Sequence, residues 1–181
     1  NENMGGVGIL GGFSGVSGGS LYGNGPGSPE LISSVGHGAA YGGHGSGNAK
    51  VYGDPSLNKL LGGSSGGASD SEGAGAGGGA ILLKASRELI IEPNVLITAN
   101  GGNGDGNGAS GSGGGVRLEA TRIFNFGRIE ARAGSGVQVD GNHQNRGSSG
   151  GRVAIIASAE VTVGDVDVSG EWLSNEGSIF I

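Results

Sequence analysis

The sequence predicts an all-β fold, a parallel β-solenoid of about three rungs with irregular or polyglycine-like glycine-rich layers at its amino-terminal side. Three observations predict it. Glycine supplies 46 of 181 residues, several times its usual share. The aliphatic residues are gathered in blocks, and nine of the twenty residues from Ala80 to Ala99 are Ile, Leu or Val. Within those blocks the apolar period is two, as in a strand, and not 3.6.

The blocks repeat. GGGAILLKASRELIIEPNVLITANGG from Gly77, GGGVRLEATRIFNFGRIEARAG from Gly113 and GGRVAIIASAEVTVGDVDVSG from Gly150 share one plan. Each opens on glycine, runs through an apolar strand ending in alanine, adds two short strands and returns to glycine. Corners fall at Glu92-Pro93-Asn94, Gly127 and Gly164, and no segment offers the helical crossover of an α/β unit. Aligning Ala85, Ala120 and Ala157 sets Leu83, Leu118 and Ile155 in one interior column. It also places Lys84 beside Glu119, and Glu130 beside Asp167 as a like-charge contact to be solvated or metal-bridged.

Residues 76–181 therefore read as the repeats and residues 1–75 as a glycine-rich flank or cap, the whole forming one continuous domain. Weaker strand signals in the flank lie at Val7–Leu10, Ser20–Tyr22 and Ala49–Tyr52. In the first unit Leu82, Ile90 and Leu96 fall on the outward phase and call for a cover, either the flank or a partner. The apolar ending Ile179-Phe180-Ile181 reads as a strand able to add to a neighbouring subunit.

Composition excludes several functions. Net charge is −6 with 14% charged residues, so no basic track for phosphates exists and nucleic acid is not an expected partner. There are no cysteines, which removes thiol chemistry and disulfides. No apolar run has the length of a membrane span, so membrane insertion is not expected either. Four prolines and no Gly-X-Y period exclude collagen.

GHGAAYGGHGSG, VYGDPSLNKLLGGSSGG, GGGAILLKA and SGSGGGVRLEA together resemble the glycine-rich repeat region of large secreted bacterial surface proteins, with a similar pattern in glycine-rich extracellular regions of plants. That resemblance implies a parallel β-helix scaffold at the cell surface and carries no catalytic residues.

Candidate sites are few. Asn103 and Asp105 in one glycine loop, and Asp140 and Asn142 in another, have the oxygen chemistry of calcium ligands. Their spacing departs from the calcium-binding nonapeptide, and solvated turn-formers account for the same residues. No catalytic residue and no other cofactor is expected. Asp165 and Asp167 with Arg128, Arg132 and Arg152 have the residue types of a polysaccharide-cleaving site, but alternating exposed charge explains them too. The expectation is thus a structural or adhesive extracellular module, not an enzyme: a surface, matrix or filament subunit that self-associates or binds other surface proteins. The interface candidates are Leu82, Ile90, Leu96, Ile179, Phe180 and Ile181. A carbohydrate-binding or carbohydrate-cleaving module and a flexible glycine-rich spacer are the alternatives.

Overall fold

A computed structural model describes residues 4–20, 22–29, 36–136, 147–171 and 176–181. Eight strands form: β1 (Ala80–Lys84), β2 (Glu88–Ile91), β3 (Leu96–Thr98), β4 (Gly115–Asn125), β5 (Arg128–Glu130), β6 (Arg152–Thr162), β7 (Asp165–Asp167) and β8 (Ser178–Phe180). They make two parallel sheets. A five-stranded sheet runs β1-β4-β6-β8, with β2 also paired to β4, and a three-stranded sheet runs β3-β5-β7. No helix occurs among the described residues.

This arrangement corrects the expected all-β solenoid of three-strand rungs with a layered cap. Two separate parallel sheets are present. Where the second and third repeats predicted two strands and a corner, β4 and β6 are single strands of 11 residues. The flank forms no strand at Val7–Leu10 or Ala49–Tyr52, and the signal at Ser20–Tyr22 includes Leu21, outside the described residues. Most of the described chain is neither strand nor cap. It threads through the body as extended glycine, serine and alanine segments.

The bonding of residues 63–67 shows why. The Gly63 and Gly66 amides donate to the carbonyls of Gly78 and Gly75, while Ser65 donates to Asn24 and Gly67 to His37. The Ser112 amide donates to the Ser64 carbonyl, and the Ala109 amide to that of Gly67. Positions three apart thus meet the same neighbour, the repeat of a polyproline-II-type chain with three residues per turn. A ladder bonds to two sides only, whereas a side-chain-free segment bonds to several. A Cβ on Gly77, Gly111 or Gly151 would lie inside the contact distance of a neighbouring carbonyl oxygen, so only glycine lets these backbones approach so closely.

Register follows the repeat. Ile81, Val116 and Val153 are in line, as are Leu83, Leu118 and Ile155, and Ile97, Ile129 and Val166. Alternate residues of both sheets turn inward to form a core of Ile91, Val116, Leu118, Ile123, Ile129, Val153 and Ile155. Burying each such side chain stabilises the fold by about 1.5–3 kcal/mol. The predicted corner between β2 and β3 is a turn in which Asn94 takes a φ of 68° and the Val95 amide bonds to Glu92. Asn is among the few non-glycine residues that adopt this conformation readily.

A second apolar cluster lies on the outer face of the larger sheet, where Tyr41 and Leu57 pack on Ala154 with Tyr52, Leu60 and Leu61 alongside. Gly115 and Ala154 leave the space: a Cβ on Gly115 would sit 3.2 Å from the Tyr41 hydroxyl. The flank therefore covers β4 and β6, not the stripe of Leu82, Ile90 and Leu96. It reaches the β1 edge through one hydrogen bond, Ala80 N–H to the Leu10 carbonyl at 2.7 Å.

Candidate functional site

The charged side chains of β1, β2, β4, β5 and β7 are engaged with one another. Lys84 reaches Glu119 at 2.7 Å, in the register the sequence predicts, and Arg117 closes on the same carboxylate. Hydrogen bonds from Lys84 and then Arg117 hold the Glu119 carboxyl below its ordinary range. Arg117 also donates to the Ser56 carbonyl at 2.6 Å, tying the flank to β4. Arg122 pairs with Glu88 one step further along.

On the smaller sheet Glu130 and Asp167 are neighbours as predicted, but neither solvation nor a metal is needed to separate them. Arg128 bonds Glu130 at 2.9 Å and Asp167 at 3.0 Å, and Arg132 reaches Glu130 at 3.1 Å. Asn100 completes the cluster by donating to Glu130 and accepting from the Arg132 amide. Burial alone would raise the Asp167 pKa. Hydrogen bonds from Ser169 and Arg128 and the charge of Arg132 outweigh it, and the net shift is downward. Two guanidinium groups thus neutralise the buried Glu130 and its neighbour. The depressed Asp167 is not poised as a proton-transferring acid, which would need a raised pKa.

Arg152 lies apart from Arg128 and Arg132, beneath the flank. It is buried and donates to the carbonyls of Tyr41, Tyr52 and Gly53 and to the Ser178 hydroxyl. The polysaccharide-cleaving group suggested by sequence is therefore divided between two places.

Of the calcium candidates, Asn103 spends its side-chain oxygen on the Ser135 amide at 2.8 Å. Asp105 stands in a turn, its carbonyl accepting from Gly108. Asp140 and Asn142 lie outside the described residues. Among the described residues no group of three or more His, Cys, Asp or Glu gathers where it could hold a metal. No described helix is long and apolar enough to cross a membrane.

The interface candidates are open. Leu82 is 48% exposed, Ile90 51% and Leu96 53%, and Ile179, Phe180 and Ile181 are exposed at the β8 end. Sequence reasoning missed Phe124 and Phe126. Their rings are parallel within 4° with centroids 6.4 Å apart, and Phe124 stands beside Ile90 in the register. The signal was available, since Phe124 lies on the outward phase of β4 and Phe126, one residue past the end of β4, continues it.

The chain matches no family model, no curated protein and no solved structure.

Proposed function

We propose that this chain is a structural or adhesive module of an extracellular surface or matrix, working through a rigid body and contacts with its own copies or other surface proteins. The observation that carries this reading is the fate of its polar groups. The buried charges among the described residues, Glu130, Arg152 and Glu171, are spent on the molecule's own side chains, carbonyls and amides. Apolar side chains, by contrast, stand uncovered along the strand edges. Such a distribution favours association over turnover. The reading requires no bound metal or cofactor.

The test is to express the chain on a cell surface and in solution, and to follow its retention, self-association and any hydrolytic or eliminative activity on polysaccharides. Retention or association without turnover supports the reading, and sustained turnover defeats it.

One observation favours a second reading, carbohydrate binding. The parallel Phe124 and Phe126 rings, with Arg122 and Glu88 beside them, combine an apolar platform with hydrogen-bonding groups. A glycan array with the Phe126→Ala protein as control tests it, and equal signals from both proteins would reject it.

A further inference from the structure

The segment from Ile81 to Ile91 has a property that neither its repeat nor its core role requires: it is complementary to itself when reversed. Reading inward from both ends, Ile81 meets Ile91, Leu82 meets Ile90, Leu83 meets Leu89 and Lys84 meets Glu88, with the unmatched Ala85 and Arg87 flanking Ser86 at the centre. This segment comprises β1 and β2, joined through a bend at Ser86–Arg87 with one residue more than the facing stretch of β4, and among the described residues both strands pair with β4 on one side only.

Its free edge is aligned to use that symmetry. Bonds to β4 involve odd-numbered residues: the Gly79, Arg87 and Ile91 carbonyls accept from Gly115, Arg122 and Phe126, and the Ala85 amide donates to Glu119. In a strand the groups alternate, so Leu82, Lys84, Glu88 and Ile90 direct their amides and carbonyls away from β4. In an antiparallel pair, opposed residues that both face the partner exchange two hydrogen bonds. Leu82 against Ile90 and Lys84 against Glu88 satisfy that rule with matched side chains. Sliding the partner by one allowed step sets Leu82 against Glu88, or Lys84 against Ile90.

We propose that a second copy of this chain docks antiparallel on the β1–β2 edge, across a two-fold axis at Ser86, forming a closed dimer. The inference deepens the self-association part of the reading above and rests on that part alone. An isologous interface needs a self-complementary patch, and this edge provides one. Docking covers Leu82 and Ile90 on the outer face and Leu83, 37% exposed, on the inner. It leaves the β8 end free. Lys84, whose side chain is 70% exposed, keeps Glu119 and gains the partner's Glu88.

The experiment is sedimentation of the whole chain over a concentration series, with Lys84→Glu, Glu88→Lys and the double exchange, each checked for a native circular dichroism spectrum. The wild type dimerises, either single reversal weakens the dimer about tenfold or more, and the double exchange restores it. Rescue separates docking from folding, because the exchange still opposes both internal pairs, Lys84–Glu119 and Glu88–Arg122. A second measurement stands if a reversal unfolds the chain. Since the protein has no cysteine, oxidised Ser86→Cys gives a covalent dimer, while Ser158→Cys, exposed on β6, does not. A monomer at millimolar concentration, an open-ended polymer, single variants that dimerise like the wild type, or equal cross-linking at Ser158 overturns the proposal. A dimer accompanied by polysaccharide turnover would defeat the structural reading and leave the docking intact.

Discussion

The guanidinium of Arg152 stands over the ring of Tyr41, with its carbon 5.4 Å from the ring centroid. The same side chain donates to three flank carbonyls, from Tyr41, Tyr52 and Gly53, and to Ser178 at the start of β8. One residue of β6 thereby joins the flank to the carboxyl end. Arg152→Met keeps the stem and removes these donors from the buried Tyr41 carbonyl and the half-buried Tyr52 carbonyl. Such a loss costs about 2–4 kcal/mol, and urea unfolding of the two proteins should show it. A difference below about 0.5 kcal/mol would mean the clip contributes nothing.

The glycine network makes a sharper demand. A methyl on Gly77 would overlap the Gly63 carbonyl, a backbone atom that no rotamer change can move. Gly77→Ala should therefore prevent native folding or cost more than about 3 kcal/mol. Gly19 has a φ of +87° but ample space, its nearest atom lying 3.9 Å from the added Cβ. Gly19→Ala should cost only about 1 kcal/mol, from backbone strain. Thermal unfolding of the two variants separates crowding from conformational freedom.

Buried serines act as parts of this backbone network. The Ser148 hydroxyl accepts from the Ala39 amide at 2.8 Å and donates to the Ser110 carbonyl at 2.6 Å. Ser149 receives the Tyr41 amide in the same way. Ser148→Ala leaves a buried N–H without a partner and should destabilise the chain by about 1–3 kcal/mol. Hydrogen exchange at Ala39 should accelerate in the same variant, which ties the cost to that bond.

These contrasts mark what the sequence made legible. Strand register was readable because aliphatic alternation and charge complementarity, Leu83–Leu118–Ile155 and Lys84–Glu119, specify it redundantly. The architecture was misassigned because the first strand of each repeat was read as ending at its alanine. At Ala120 and Ala157 there is only a register irregularity within the continuous β4–β6 ladder. The paths of residues 36–79 and 99–114 were illegible for a physical reason. Glycine carries no side chain to record which neighbour its amide meets, so Gly63–Gly78 and Gly67–His37 leave no pattern. In the candidate site, Leu82 and Ile90 were found by phase. Phe124 and Phe126 share that phase but were passed over beside the charges around them.

The ion pairs and buried tyrosines together set a pH window. Glu119 and Asp167 have carboxyls lowered from ordinary values of 4.5 and 3.8. A carboxyl depressed on folding favours the native state above its unfolded pKa, and that contribution disappears as pH falls through the folded one. Stability should therefore be level down to pH 4.5 and decline below it, with Glu119→Gln flattening part of the decline. At the other extreme burial raises the hydroxyl pKa of Tyr52 to about 12, against hydrogen bonding from Ser64 and the charge of Arg152, and pushes that of Tyr41 up as well. A raised tyrosine favours the native state below its ordinary pKa of 10.0 and loses that contribution as pH climbs through the folded value. Unfolding by urea should thus become easier between pH 10 and about 12. Phenolate absorbance should show Tyr41 and Tyr52 ionising together with loss of the β-sheet dichroism. Ionisation of both near pH 10 in a still-folded chain would show that the flank does not seal them.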